Sequence, residues 1–216
     1  ECNLKSVKIA KDAASGKNIA VAGSVSTYGY FLKDGLENML PSFNEHLKIL
    51  SNSGVDLIIL EAMSSQSEIV EALLKCSKNI NLPIWLSISC VFDKNKEIYL
   101  GYDDDVKNDK PQIYENFKES LYKFKKIHTG PILVAHSNMS VTDEAIKILK
   151  DNYNQIIGAY PNRGYFEKPK WKFIDNIQPK DYLDKAKSWK NNGAQIIGGC
   201  CGIGVEEIKA ISILKN

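Results

Sequence analysis

Short runs of apolar residues alternate along this chain with longer segments in which apolar positions recur every three or four residues. The apolar runs predict six buried β-strands, at residues 19–24, 56–62, 84–90, 132–135, 155–160 and 195–199. The periodic segments predict helices at residues 42–53, 67–79, 112–127, 143–151, 179–192 and 205–211, with the end of a further helix at residues 4–14. A polar segment, residues 93–109, follows the third strand. Strands that alternate with amphipathic helices indicate parallel βαβ units and therefore an α/β fold.

Two arrangements of a parallel sheet are compatible with this alternation. An open doubly wound sheet is one, but no Gly-x-Gly-x-x-Gly stretch follows the first strand and no Walker sequence occurs in the chain. The other is a (β/α)₈ barrel, which normally takes about 250 residues. We therefore expect an incomplete TIM-type barrel with six of the eight strands, the first two being absent, in one domain of residues 1–216. Such an open barrel would expose the edges of its first and last strands.

Composition and charge narrow the class of protein. Of the 216 residues 44% are hydrophobic and 25% charged, as in ordinary globular domains. The net charge of only +2 gives no reason to expect nucleic acid as a partner. No apolar run approaches the ~20 residues that span a bilayer, and the first residues lack a signal-peptide pattern, so we expect no membrane partner. Five scattered cysteines do not form a disulfide framework, which favours a reducing cytoplasm; the oligomeric state stays open.

Two adjacent cysteines follow the last predicted strand, in the stretch Gly198-Gly199-Cys200-Cys201-Gly202. Their position is the C-terminal mouth of a strand, where α/β proteins place their chemistry. Neighbouring cysteines do not easily bridge each other, because a relaxed disulfide needs Cα atoms roughly 4.4–6.8 Å apart. Two thiols in one cleft are better suited to a borderline metal such as zinc. The alternatives are two small residues packed under a loop and, more weakly because no Cys-x-x-Cys is present, a redox pair.

Chemistry-bearing residues also follow four other predicted strands. They lie in the stretches Ala22-Gly23-Ser24-Val25-Ser26-Thr27-Tyr28-Gly29, Leu60-Glu61-Ala62, His136-Ser137-Asn138-Met139 and Tyr160-Pro161-Asn162-Arg163-Gly164. Glu61 ends an apolar run, and a carboxylate buried there without a partner would be costly. A substrate ammonium group is one partner that would satisfy it, and a buried ion pair or a helix N-cap contact are the alternatives.

The order and spacing of these strand-end stretches resemble the homocysteine S-methyltransferase family over nearly the whole chain. The Gly-Gly-Cys-Cys-Gly stretch is the most specific match, and the Tyr-Pro-Asn-x-Gly stretch is most similar to branches that use S-methylmethionine or S-adenosylmethionine as methyl donor. The resemblance implies a (β/α)₈ barrel in which Zn²⁺, held by three cysteines, binds homocysteine as a thiolate. That thiolate attacks the methyl group of a sulfonium or quaternary ammonium donor and gives methionine, as in methionine biosynthesis, and no catalytic general base is needed.

Carried over residue by residue, the resemblance assigns Cys200 and Cys201 as metal ligands. It assigns Glu61 to the amino group of homocysteine, and Asn138 as a second substrate-binding residue. The partners implied are therefore small molecules, homocysteine and a methyl donor. Cys90, Cys76 and Cys2 are interpreted as a packing residue, a helix residue and a residue near the terminus, respectively.

Two departures from the family pattern bear on function. Met139 stands where the third cysteine follows the asparagine, and a thioether is a poor zinc ligand, so we expect weak zinc binding. His136 could substitute, but strand alternation directs it to the opposite face unless a twist or bulge intervenes. The family's Asp-Gly-Gly segment and second strand are also absent, which indicates that the N-terminal part of the barrel is lacking. Two functions stay open: an active homocysteine S-methyltransferase, and a degenerate, non-catalytic member that binds a thiol, an amino acid or nothing.

Overall fold

The computed structural model describes residues 1–27, 35–102, 112–167, 170–172 and 177–215 of the chain. The strands are β1 (Ala22–Ser26), β2 (Leu57–Met63), β3 (Ile84–Ile88), β4 (Cys90–Phe92), β5 (Ile98–Tyr102), β6 (Gln112–Asn116), β7 (Ile132–Ala135), β8 (Ile157–Tyr160), β9 (Tyr165–Glu167), β10 (Lys170–Lys172) and β11 (Ala194–Ile197). The helices are α1 (Cys2–Ala14), α2 (Leu36–Asn52), α3 (Ser67–Ser77), α4 (Phe117–Phe124), α5 (Met139–Asn152), α6 (Pro179–Asn191) and α7 (Val205–Ile211), and a 3₁₀ turn follows at Ser212–Leu214. None of the helices in these ranges is long and apolar enough to cross a bilayer.

The central sheet contains six parallel strands in the order β1-β2-β3-β7-β8-β11. Spatial order therefore follows chain order, without the reversal that defines a doubly wound sheet. Because crossovers between parallel strands are right-handed, a sheet with this order carries its connecting helices on one face. That arrangement is the wall of a TIM-type barrel, which confirms the predicted fold of six parallel strands. Within the described residues, β1 and β11 form the two edges of the wall.

The sequence prediction was wrong in the segment between β3 and β7. Residues 112–116, assigned to the start of a helix, form β6, and α4 begins only at Phe117. Asn116 explains this boundary, because its side chain accepts hydrogen bonds from the backbone N–H groups of Lys118 and Glu119 as an N-cap. The predicted polar segment contains β5, which joins β4 and β6 in a three-stranded antiparallel sheet. Residues 103–109 of that segment lie outside the described residues.

The core lies between the parallel sheet and the helices that cover it. The sheet contributes fully buried apolar residues such as Ile58, Leu86 and Val134. Helix α6 illustrates the helical side, because Tyr182 and Trp189 are buried on one face and their rings meet edge to face at 5.7 Å. The packing of the helices against one face leaves the carboxyl ends of the parallel strands free to carry the site.

Candidate metal and substrate site

The two adjacent cysteines lie in the turn after β11, which backbone hydrogen bonds fix to the turn after β8. The N–H group of Cys200 donates to the carbonyl of Pro161 at 3.0 Å, and the N–H group of Arg163 donates to the carbonyl of Cys201 at 2.8 Å. Gly199 permits this close fold of the chain, since a Cβ atom there would lie 2.2 Å from a side-chain carbon of Ile203. The backbone position of the two cysteines is therefore fixed by the turn that follows β8.

The thiol sulfurs of Cys200 and Cys201 lie 3.8 Å apart and form no disulfide bond. A ring nitrogen of His136 completes a compact group, in which the three candidate ligand atoms all lie within 4.8 Å of one another. Within the described ranges, this is the group of histidine, cysteine and acidic side chains close enough to hold a metal ion. The arrangement offers two sulfur ligands and one nitrogen ligand, a donor set that suits zinc.

The position of His136 corrects the expectation from strand alternation. Its backbone has a φ of 47°, in the left-handed region that non-glycine residues rarely adopt, so alternation ends at the last residue of β7. Neighbouring polar groups hold this turn: the Ser89 hydroxyl donates to the carbonyl of His136 at 2.8 Å. The Ser137 hydroxyl donates to the Ala135 carbonyl and accepts the N–H of Cys90, both at 2.8 Å. The left-handed turn brings the imidazole to the thiols.

Asn162, in the turn after β8, contacts the imidazole of His136. Only 6% of its surface is exposed, and its backbone N–H donates to the carbonyl of Ser137 at 2.8 Å. Its amide nitrogen lies 3.5 Å from Nδ1 of His136. Its amide oxygen, Oδ1, is buried and has no hydrogen-bond partner among the described residues. Sequence reasoning gave Asn162 no role, although its place in the Tyr-Pro-Asn-x-Gly stretch singled it out.

The Glu61 carboxylate lies at the same end of the sheet and is held by two hydroxyl groups. Its Oε1 atom accepts hydrogen bonds from Ser87 at 3.0 Å and from Tyr160 at 2.8 Å, and the two hydroxyls also contact each other. Among the described residues, the carboxylate has neither a basic side chain nor a helix N–H group as a partner, so the ion pair and the N-cap contact considered from the sequence are not present there. The other carboxylate oxygen is therefore the atom that can accept a ligand.

Two groups at the site, the Tyr160 phenol and the Cys200 thiol, have raised pKa values. Burial, together with the negative charge of Glu61, raises the pKa of Tyr160, so its phenol stays protonated and remains a donor. The hydrogen bond with Cys201 and, secondarily, burial raise the pKa of Cys200, whereas the hydrogen bond with His136 lowers it. Coordination to a metal cation would deprotonate the Cys200 thiol outright, against this raised pKa.

Asn138 and Met139 lie at the start of α5. The side-chain oxygen of Asn138 accepts the N–H group of Val141 at 3.0 Å and the hydroxyl of Ser140 at 2.7 Å, which is the role of a helix N-cap. Substrate binding by Asn138 therefore stays a prediction. Met139 is the first residue of the helix, and its half-buried side chain packs against the hydrophobic core.

The remaining cysteines lie where the sequence interpretation placed them. Cys90 is 2% exposed, and burial raises its pKa, so it is an inert packing residue. Cys76 is half-buried on α3 and Cys2 is exposed on α1. The thiols available to a ligand at the strand ends are thus those of Cys200 and Cys201.

Comparison with known proteins defines the class. A family model described as homocysteine S-methyltransferase matches residues 1–214. The chain is 28% identical over 219 residues to homocysteine S-methyltransferase 1 of Zea mays, which covers 91% of this chain and 62% of that protein. The chain therefore spans about three fifths of the length of this relative.

Solved structures show the same fold. The apo form of the homocysteine methyltransferase MmuM from Escherichia coli matches with a TM-score of 0.70 at 19% identity, over 98% of this chain and 72% of that chain. The metallated form of the same enzyme matches with a TM-score of 0.63, at 19% identity, over 98% of this chain and 66% of that one. These structures show that the chain shares the barrel fold of the enzymes it matches. More particularly, the chain belongs to the homocysteine S-methyltransferase family.

Proposed function

We propose that this chain is the homocysteine-binding barrel domain of a zinc-dependent homocysteine S-methyltransferase. The methyl donor is a sulfonium compound of the S-methylmethionine or S-adenosylmethionine type, and the product is methionine. The observation that carries the proposal is the placement of a vicinal thiol pair and a carboxylate, Glu61, at one end of the sheet, linked through Tyr160. The Tyr160 hydroxyl donates to Glu61, and the carbonyl of the next residue, Pro161, accepts the N–H of Cys200, so one strand end contacts both halves of the site.

The thiol pair fits zinc. In a tetrahedral site with zinc–sulfur bonds of about 2.3 Å, two thiolate sulfurs lie ~3.8 Å apart. The sulfurs of Cys200 and Cys201 already have a separation of 3.8 Å, so binding requires little movement of either side chain. The related MmuM is known in a metallated form, which supports a metal in this family member as well. Five cysteines without disulfide bonds also fit a reducing compartment such as the cytoplasm.

The reaction follows from the residues that surround the substrate. Zinc bound at the thiols would supply a Lewis acid that keeps the homocysteine sulfur deprotonated at neutral pH. Glu61 binds the homocysteine ammonium through its free oxygen, while Ser87 and Tyr160 fix the orientation of the carboxylate. The homocysteine sulfur forms a bond to the methyl carbon as the donor's carbon–sulfur bond breaks. The donor leaves as a neutral thioether, and the thiol proton passes to solvent, so no protein base is needed.

A ligand-binding experiment tests this proposal. We expect the zinc-loaded chain to bind homocysteine in isothermal titration calorimetry. The chelator-treated chain should bind it at least about tenfold more weakly, because the homocysteine sulfur then has no metal to coordinate. Homoserine, which has a hydroxyl in place of the thiol, is the matched control ligand and should bind poorly to both forms. Equal binding of homocysteine and homoserine to the zinc-loaded chain would contradict the proposal.

A degenerate, non-catalytic member is the second candidate. The observation in its favour is Met139, which replaces the third cysteine that the family resemblance implies. A zinc titration separates the two candidates, because tight stoichiometric zinc supports the enzyme and its absence supports the degenerate form.

The Tyr160 hydroxyl is expected to contribute to substrate binding without touching the metal. Tyr160→Phe removes one of the two hydrogen bonds to Glu61, so we expect homocysteine affinity to fall about five- to tenfold. Zinc stoichiometry should not change. Tyr153→Phe is the matched control, because its side chain is buried and its phenol donates away from the site, to the carbonyl of Gly130 at a distance of 2.5 Å. Calorimetry on both variants measures the effect, and a comparable loss in Tyr153→Phe would show that the change is not specific.

A further inference from the structure

We propose that His136 supplies the third protein ligand of the metal site, and that Asn162 positions its imidazole. The site is then formed by two cysteines and one histidine, where the family resemblance implies three cysteines. This inference rests on the proposed function, because it concerns the same metal. It explains how a chain with methionine at position 139 can still hold zinc.

The backbone of His136 is the first argument. A positive φ at a residue other than glycine is costly, and such strain persists where the surrounding structure over-determines it. Here the Ser137 hydroxyl donates to the carbonyl of Ala135 and the Ser89 hydroxyl donates to the carbonyl of His136, so both peptide groups that flank His136 are held. The left-handed conformation of His136 is thus fixed by hydrogen bonds from neighbouring residues. Its consequence is that the imidazole, which would otherwise point away, joins the two thiols within 4.8 Å.

The amide of Asn162 is the second argument. Its nitrogen faces Nδ1 of His136 at 3.5 Å, while its buried oxygen lacks a partner among the described residues. A half-turn of the amide exchanges the two atoms, which X-ray density seldom distinguishes and which hydrogen bonding decides. Oδ1 then accepts the Nδ1–H proton, and that tautomer leaves the lone pair of Nε2 for a metal. Metal-binding histidines ordinarily donate their other N–H to such an oxygen. Asn162 is therefore a positioning residue.

The surroundings of Met139 are the third argument. Its side chain packs against the hydrophobic core, and a thioether ligand is neutral and weak for zinc. The resemblance alone predicts that a cysteine at position 139 would restore a lost ligand. The geometry predicts that Met139→Cys leaves zinc stoichiometry unchanged, because the third position is already filled by His136.

The test compares zinc affinity across matched variants, by competition with a chromophoric chelator. His136→Asn keeps a residue that tolerates the left-handed conformation but removes the ligand, so we expect a fall of at least about 100-fold. Met139→Leu preserves the apolar packing and should stay within about threefold of the parent. A fall in Met139→Leu, or parent-like affinity in His136→Asn, would overturn the assignment of the ligand.

Two variants of Asn162 distinguish a positioning role from a structural one, because they differ in whether an acceptor oxygen faces His136. Asn162→Leu removes the acceptor, and we expect zinc affinity to fall about tenfold or more. Asn162→Asp keeps an acceptor oxygen and should restore affinity to within about threefold of the parent. Failure of aspartate to restore affinity would overturn the positioning role.

Cobalt spectra separate failure of this inference from failure of the proposed function. Cobalt bound by two thiolates gives a sulfur-to-metal charge-transfer band, and His136→Cys should raise its intensity by about half as the thiolates increase from two to three. A parent chain that binds cobalt through both cysteines, with His136→Asn unaffected, contradicts only the histidine ligand. A parent chain that binds neither cobalt nor zinc contradicts the proposed function as well.

Discussion

Replacement of Cys200 with serine is expected to lower zinc affinity at least about 100-fold and to remove measurable homocysteine binding. A hydroxyl does not deprotonate to a soft ligand, so one of two thiolates is lost from a site that needs at least three protein ligands. The change removes no hydrogen bond made by the backbone of the turn, since Cys200 is held there through its N–H group. The fold should therefore survive. Zinc per chain, determined by a chelator assay after gel filtration, measures the effect.

Cys2→Ser provides the control for the Cys200 variant. Cys2 is exposed on α1, so its replacement tests for unspecific binding of zinc to surface thiols. We expect parent-like zinc content in Cys2→Ser and a loss in Cys200→Ser. Equal zinc content in all three proteins would show that the vicinal thiols do not form the metal site.

The second large effect is expected for Glu61→Gln, which keeps the shape of the side chain and removes its charge. The variant should bind homocysteine roughly 30- to 100-fold more weakly, because the substrate ammonium loses a partly buried charge-assisted partner. Ser87 and Tyr160 still have an amide oxygen to which they can donate, so the local network is preserved. Calorimetry of the zinc-loaded variant gives the affinity, and a chelator assay gives the metal content.

Glu115→Gln is the matched control for this experiment. Glu115 is also partly buried, but it is paired with Lys123 and Ser67, and hydrogen bonds from these residues lower its pKa against the opposing effect of burial. Homocysteine affinity should stay near the parent value in Glu115→Gln. If Glu61→Gln lost zinc and homocysteine to the same extent, Glu61 would have a structural role instead of a substrate-binding one.

The parallel sheet was predictable because its four inner strands, β2, β3, β7 and β8, are largely buried on both faces. Segments such as residues 132–135 are continuously apolar, and the periodic helices between them leave little choice of fold class. The segment at residues 112–116 was not predictable in this way. A short stretch of mixed polar and apolar residues next to a helix does not distinguish the helical period of 3.6 residues from the strand period of 2. The N-cap at Asn116 was the local signal that marked the true start of α4.

The candidate site was predictable only in part. Cys200, Cys201 and Glu61 each end an apolar run, so their place at the carboxyl ends of the strands follows from the pattern. The partners of these residues do not follow from it. Tyr160 reaches Glu61 across 99 positions of sequence, and the left-handed turn at His136 depends on hydrogen bonds from other strand ends. The alternation of side chains between the two faces of a sheet holds only within a strand, and His136 is the first residue after β7.

Zinc X-ray absorption of the loaded chain, before and after addition of homocysteine, shows whether the metal binds the substrate sulfur. We expect two sulfur ligands from Cys200 and Cys201 and one nitrogen ligand in the free chain, with zinc–sulfur distances of about 2.3 Å. Addition of homocysteine should raise the number of sulfur ligands from two to three, whereas homoserine should not. A sulfur count that homocysteine leaves unchanged would contradict the claim that this chain uses its metal to bind a substrate thiolate.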